Sequence, residues 1–165
     1  MKNKEKIYSI ACILLMIDQF IKICIKSNMK LFEEIKIIPK FFSIYYVENK
    51  GAAFSIFAGW TFILIIISFI SLYVLDRYIK KEINFSKLKI LSIGFIIGGI
   101  VGNLVDRIFY GSVIDYLSFN LFGYSAPIFN VADIGITVGA FMLIIDIVRS
   151  DINEYRDKKR IGKKN

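Results

Sequence analysis

The stretch GGIVGNLVDRIFYGSVIDY, residues 98 to 116, begins as a membrane helix and ends among acids. Gly98, Gly102 and Asp106 recur every fourth residue and so share one helical face. Asn103 and Arg107, also four apart, lie beside that face. Asp115 follows eight residues after Arg107, inside an otherwise apolar SVIDY. A carboxylate in or beside hydrocarbon costs at least ~2.5 kcal/mol on the gentlest scale. A chain that keeps Asn103, Asp106, Arg107 and Asp115 in about one and a half helical turns plus a short loop has a use for them. The rest of the sequence reads as the means of holding these groups at a membrane surface.

Composition sets the frame. The chain has 165 residues, is 56% hydrophobic and has a mean hydropathy of +0.58, more apolar than soluble domains usually are. Its formal charge of +8 fits basic cytoplasmic loops of a membrane protein better than a nucleic-acid surface. Histidine is absent, which excludes Ser-His-Asp and Cys-His catalysis and any zinc site built on imidazole. Cys12 and Cys24 fall on one expected helix, roughly 18 Å apart at 1.5 Å per residue, too far to pair. The chemistry must therefore come from carboxylates, Lys, Arg, Ser or Tyr, and no metal or cofactor is expected.

Four apolar runs, 7–25, 56–75, 90–108 and 131–148, are long enough to cross a bilayer as helices. The first follows Lys2, Lys4 and Lys6 but lacks a small-residue cleavage site, so it reads as an uncleaved span. Between the first two runs, Phe41 to Asn49 is β-branched and aromatic without helical period, which predicts a short strand or hairpin. Asn49-Lys50-Gly51 then reads as a turn, and Trp60 as an interfacial anchor of the second span. Residues 76–89 form a basic loop, 109–130 a further loop ending near Pro127, and 149–165 a charged surface tail. The N-terminal end has three Lys and Arg, the 76–89 loop five and the tail seven, against five in 26–55 and none in 109–130. The basic side is the cytoplasmic one. The expected architecture is a single all-α membrane domain over 1–165, with four transmembrane helices, both termini cytoplasmic, and a small extracytoplasmic β-rich region between helices 1 and 2.

Several constellations admit two readings. Asp18 and Lys22 in DQFIK are four apart and fit either a self-neutralising pair or a place in substrate binding. NKGAAFS, Asn49 to Ser55, is either a turn entering a helix or a backbone along which a substrate chain lies, with the Asn49 amide as donor. Gly94, Gly98 and Gly102 on the third span and Gly135 and Gly139 on the fourth are packing stripes, expected to draw those two spans together. In FNVADIGI, Asn130 is placed to cap the fourth helix and Asp133 lies at its third position, where negative charge suits the dipole. An acid there tends to ionise, while one in an apolar pocket keeps its proton. Two such acids in contact can share a proton and activate a water. Asp76, Arg77, Asp146 and Arg149 read as interfacial charges at the span ends.

Together, DQFIK, NKGAAFS, GGIVGNLVDRIFYGSVIDY and FNVADIGI resemble, in order and spacing, the sequence blocks of the bacterial lipoprotein signal peptidases (signal peptidase II). That resemblance implies an integral-membrane aspartic endopeptidase of the bacterial cytoplasmic membrane, with its site near the outer face. It implies Asp115 and Asp133 as the catalytic aspartates. Asn49, Gly51, Asn103, Asp106, Arg107, Asn130 and Ala132 correspond to substrate-binding and structural positions, with Asp18 and Lys22 in support. Arg107 is expected either to pair with Asp106 or to meet a lipid head group. The implied substrates are diacylglyceryl-prolipoproteins, cut just before the modified cysteine. The implied partners are those substrates and membrane lipids, without nucleic acid, and the expected state is a monomer. Tyr116 departs from the family pattern, in which Phe is common.

Readings from other classes make different demands. A small proton-coupled transporter using Asp18, Asp106 and Asp133 as relays needs polar groups through the bilayer depth, and here they gather near one end. A non-enzymatic membrane assembly subunit needs only the glycine stripes and leaves two external acids without a role. A Ser-Lys peptidase needs a serine beside a membrane-depth lysine, and no obvious pair exists.

Overall fold

The computed structural model describes residues 2–51, 59–121 and 123–161. Four helices, α1 (Lys2–Asn28), α2 (Thr61–Lys81), α3 (Lys87–Tyr110) and α4 (Val131–Ile161), are each long and apolar enough to cross a membrane. Phe20, Phe62 and Phe141 stand exposed on α1, α2 and α4, the arrangement expected of side chains that meet lipid instead of water. Helix α3 is central and packs along α1, α4 and α2. It is the helix of the opening stretch, and its small residues explain its position.

The glycines divide the work differently from the expected pairing of the third and fourth spans through one stripe. A Cβ on Gly94 would meet Ile10 Cγ2 at 2.7 Å, and one on Gly98 would meet the Ala11 carbonyl at 2.7 Å. The 94/98/102 stripe thus seats α3 on α1. Contact with α4 comes from the neighbouring row, where Gly99 lies against the Ala132 carbonyl and Gly139 against that of Ser92. A four-residue repeat lines up one face only, and a second helix packed on α3 has to use another.

The element ends follow local chemistry. Asn28 Nδ2 donates to the Cys24 carbonyl at 2.8 Å and closes α1 three residues beyond the apolar run. Ser86 caps α3 by accepting from the Lys89 N–H at 2.9 Å. Gly111, at φ 71°, ends α3 with its N–H on the Arg107 carbonyl at 3.1 Å and turns the chain into a strand. Helix α4 runs unbroken through the charged residues as far as Ile161. At the end away from the sheet, Lys89 bridges Glu82 at 3.0 Å and Asp146 at 3.7 Å, and Ser86 also bonds Asp146. Beside this clip Ile7, Ile79, Ile90 and Ile93 form a core, so that end of the bundle is firmly tied. Asp76 pairs with Lys80 at 2.7 Å.

The other end carries an antiparallel sheet ordered β1 (Glu34–Ile38), β2 (Phe42–Asn49), β3 (Val113–Leu121), β4 (Tyr124–Ser125). The expected strand is β2, in a hairpin with β1 turned by Pro39 and Lys40, the latter at φ 61°. Strand β3 corrects the expectation of a plain loop over 109–130. It pairs with β2 in a register that sets Asp115 opposite Val47 and Val113 opposite Asn49. The β-rich region therefore draws on both connections. Tyr46, Ile114 and Tyr116 pack with Met29 in a second core that fastens the sheet to the end of α1. The Tyr116 hydroxyl is buried beside the Val131 amide without forming a hydrogen bond to it.

Candidate active site

At the junction of sheet and bundle, polar side chains from α1, β2, α3, β3 and the start of α4 converge. Lys22 is 1% exposed, yet its ammonium meets Asp18 at 2.8 Å, Asp106 at 2.9 Å and Asn103 Oδ1 at 3.0 Å. The Asp18–Lys22 pair anticipated from spacing thus supplies two members of a three-charge cluster closed by Asp106 of α3. Both acids also hold backbone. Asp18 Oδ1 accepts the Ala132 N–H at 2.9 Å, and Asp106 Oδ2 accepts the Ile114 N–H at 3.1 Å. Gln19, seen in DQFIK but given no role from sequence, donates to Asp106 Oδ1 at 2.9 Å and to the Gly102 carbonyl at 3.2 Å.

Two asparagines carry this order to the remaining acids. The Asn130 side chain accepts the Asp133 N–H at 2.9 Å, while the Asn130 N–H donates to Asp133 Oδ2 at 3.3 Å. This is a reciprocal capping box at the start of α4, the local role that sequence assigned to both residues. The same Asn130 amide donates to Asp115 Oδ1 at 2.6 Å and to Asn103 Oδ1 at 3.2 Å. Asn103 Nδ2 donates to Asp133 Oδ1 at 2.7 Å. Asn49 Nδ2 donates to Asp115 Oδ2 at 3.0 Å, and its own side-chain oxygen accepts the Gly51 N–H at 2.9 Å. Both carboxylates therefore receive N–H groups on each oxygen.

Arg107 does not pair with Asp106. Adjacent residues on a helix diverge by about 100°, and Asp106 is directed to Lys22. Arg107 instead donates to the Gly51 carbonyl at 3.1 Å and the Asn103 carbonyl at 3.4 Å. Ala132 is fully buried under Gly102 and contributes its N–H. Gly51 is buried and binds both Asn49 and Arg107. The rest of NKGAAFS, residues 52–55, lies outside the described residues.

Asp115 and Asp133 line one groove of about 740 Å³, together with Asn49, Asn103 and Arg107. From the carboxylates it runs between Ile67, Ser68 and Ser71 of α2 and Thr137 and Val138 of α4, with Ile100 of α3 as floor. The Ser68 and Ser71 hydroxyls are turned back onto the Leu64 and Ile67 carbonyls, each at 2.8 Å, so the groove is apolar below the acids. Asp115 itself is 2% exposed. Burial, and next the Asp133 charge, push its carboxyl up to about 7, against the two asparagine donors that favour its charged form. The site thus holds a buried acid that keeps its proton near neutrality. Its neighbour sits at a helix N-terminus that favours negative charge, and an apolar channel leads to both.

A family model described as "Signal peptidase (SPase) II" matches residues 10–149. The chain belongs to the signal peptidase II family. It is similar to the lipoprotein signal peptidase of Halothermothrix orenii, 40% identical over 139 residues that cover 84% of this chain and 92% of that one. It is similar also to the lipoprotein signal peptidase of Staphylococcus aureus, 34% identical over 150 residues that cover 91% of each. A solved structure described as a bacterial membrane enzyme structure by the in meso method at 2.3 Å resolution matches with a TM-score of 0.81 and 33% identity, over 87% of this chain and 88% of that one. The resemblance drawn from the four sequence blocks, the four-helix membrane fold and the aspartic-type peptidase class all stand. Family membership and the four spans make this a multi-pass protein of a bacterial membrane.

Proposed function

We propose that this chain removes the signal peptides of prolipoproteins, with Asp115 and Asp133 as its catalytic pair. One observation carries the assignment of the pair. Asn130 bonds both carboxylates, and both face the same groove. The protonated Asp115 donates to the scissile carbonyl oxygen. Asp133, as carboxylate, takes a proton from a water that attacks the carbonyl carbon. That proton then passes to the departing amide nitrogen as the C–N bond breaks, and the re-forming carbonyl returns its proton to Asp115. Arg107 and Asn49, on the groove wall, hold the substrate backbone or the lipid head group beside the pair.

The apolar groove between α2 and α4 suits a signal helix, and the acids at its end suit a cleavage point at the membrane surface. The cut is made just before a cysteine carrying a diacylglyceryl group, whose chains extend into surrounding lipid. The site faces outward and both termini face the cytoplasm, a reading supported by fifteen Lys and Arg on the side of the termini against five on the other. The test is cleavage by the purified protein in detergent of a prolipoprotein with and without the diacylglyceryl group. The modified substrate is cut before its cysteine and the unmodified one is not. Equal cutting of both, or of neither, would remove the lipid-dependent peptidase reading.

The proton on Asp115 gives a pH dependence. Its pKa lies above the ordinary carboxylate value, at about 7, so the required proton is present below that pH and lost above it. The rate against pH therefore declines on the alkaline side near 7, read as kcat/KM across pH 5 to 9. Folding follows the same sign. The unfolded chain releases this proton near pH 4 while the folded one keeps it. Asp115 thus makes the fold progressively less stable as pH rises from about 4 to about 7, and no further beyond.

A further inference from the structure

Only two Lys or Arg side chains, Lys22 and Arg107, lie outside the loop and tail charges. Lys22 is the largest of the fully buried side chains among the described residues. An ammonium has three protons to donate, and Lys22 has three acceptors within 3.0 Å, Asp18, Asp106 and Asn103. A buried ion cluster is no better for stability than apolar side chains of the same volume. Its connections point to another role. Asp18 holds the N–H of Ala132 and Asp106 that of Ile114, and each of those residues immediately precedes one aspartate of the pair. The third acceptor, Asn103, donates directly to Asp133.

We propose that Lys22 is a positioning residue which, by fixing the orientation of the Asn103 amide, holds the Asp133 carboxylate where it takes the proton of the attacking water. The inference rests on the aspartate-pair reading above. An amide presents an oxygen on one side and N–H groups on the other, and its orientation follows from its neighbours. Asn103 Oδ1 receives Lys22 at 3.0 Å and Asn130 Nδ2 at 3.2 Å. Reversing the amide would turn its N–H groups onto two donors, one of them cationic, and its oxygen onto the Asp133 carboxylate. Lys22 therefore leaves Asn103 Nδ2 one direction, toward Asp133 Oδ1. Without the ammonium, the longer bond from Asn130 is the donor left on Asn103 Oδ1, and the amide holds Asp133 less firmly.

The titratable groups around this path come from every packed element. They are Asp18 and Lys26 on α1, Tyr46 and Glu48 on β2, Asp106, Arg107 and Tyr110 on α3, Asp115 and Tyr116 on β3, and Asp133 on α4. Among them Lys22 is the cation bonded to Asn103 Oδ1.

The experiment measures kcat and KM separately on a diacylglyceryl-modified prolipoprotein in detergent. Wild type is compared with Lys22→Met, Asn103→Leu and the double variant. A further variant, Lys22→Met with Asp106→Asn, preserves the cluster's net charge in case the single one does not fold. kcat is expected to fall by about 10²-fold in Lys22→Met and in Asn103→Leu, the scale of a misplacement near 1 Å. The double variant falls no further than Asn103→Leu alone, because both changes act through one amide. KM stays within about twofold, since no group held by Lys22 belongs to substrate binding alone. Losses that add, an unchanged kcat in Asn103→Leu, a loss carried by KM in place of kcat, or two unfolded Lys22 variants would each make Lys22 merely structural and overturn the proposal. An Asp133→Asn control separates the two levels. If that variant is active the aspartate pair itself is misassigned; if it is inactive while Lys22→Met keeps its kcat, only the role of Lys22 fails.

Discussion

Asp133→Asn lowers kcat/KM by roughly 10³–10⁴-fold, the scale of a lost general base, while the protein still inserts and folds. The substitution keeps the side chain's shape and removes its charge and one acceptor. Asp133 Oδ1 accepts from Asn103 and Oδ2 from the Asn130 N–H. An asparagine can satisfy only one of these donors with its oxygen, so its NH₂ faces the other. That conflict costs about 1–2 kcal/mol, far less than the fold needs to be lost. The helix cap survives, because Asn130 still accepts the N–H of residue 133. Asp115→Asn produces a loss of the same order for a different reason. It removes the proton held up to about pH 7 and sets an NH₂ against Asn130 or Asn49, both of which donate there. Single-turnover cleavage with a thermal melt on each variant gives both quantities. A variant within tenfold of wild type would take its aspartate out of the chemistry.

What sequence could and could not foresee here divides along the range of the interaction. The Asn130–Asp133 cap and the Asp18–Lys22 pair were legible because their partners are three and four residues apart, and helix geometry fixes the rest. The four spans were legible from run length alone. Their ends were less so, since α1, α3 and α4 extend into polar sequence once caps and ion pairs satisfy the terminal groups. Asp106 closing on Lys22 joins residues 84 positions apart, and no periodicity announces that. Strand β3 did carry a signal, in Val113, Ile114, Tyr116 and Phe119. Its first four residues are buried on both faces, so the alternation that marks a half-exposed strand is missing. The glycine stripe was recognised as a packing surface, but which helix it would meet depends on rotation about α3, and spacing does not contain that angle.

Gly99→Ala is expected to cut the rate per folded molecule by about 10²-fold or more, and Gly94→Ala to leave it near wild type. Both glycines seat α3 on a neighbour, and both overpack when a methyl is added, at about 1–3 kcal/mol. They differ in what must move. The added methyl on Gly94 meets Ile10 Cγ2 at 2.7 Å and the Ile7 carbonyl at 3.0 Å, at the far end of α1, where the isoleucine core absorbs the strain. On Gly99 it runs into the Ala132 carbonyl, with Ile136 Cγ1 at 2.7 Å and the Ile136 N at 3.1 Å. Two of those three atoms are backbone, so relief comes only by shifting the first turn of α4 away from α3. That turn carries Asn130 and Asp133, while Asp115 stays with β3, which is anchored separately through β2 and Asp106. A displacement near 1 Å stretches the bonds of Asn103 to Asp133 and of Asn130 to Asp115 together, and misplacement on that scale is worth about two orders of magnitude in rate. The comparison is specific activity normalised to the folded fraction, beside each variant's melting temperature. Similar losses of stability with unequal losses of rate make the α3–α4 contact part of the catalytic geometry. Equal rates in the two variants would mean that the first turn of α4 tolerates displacement, and that the pair is held from the β3 side alone.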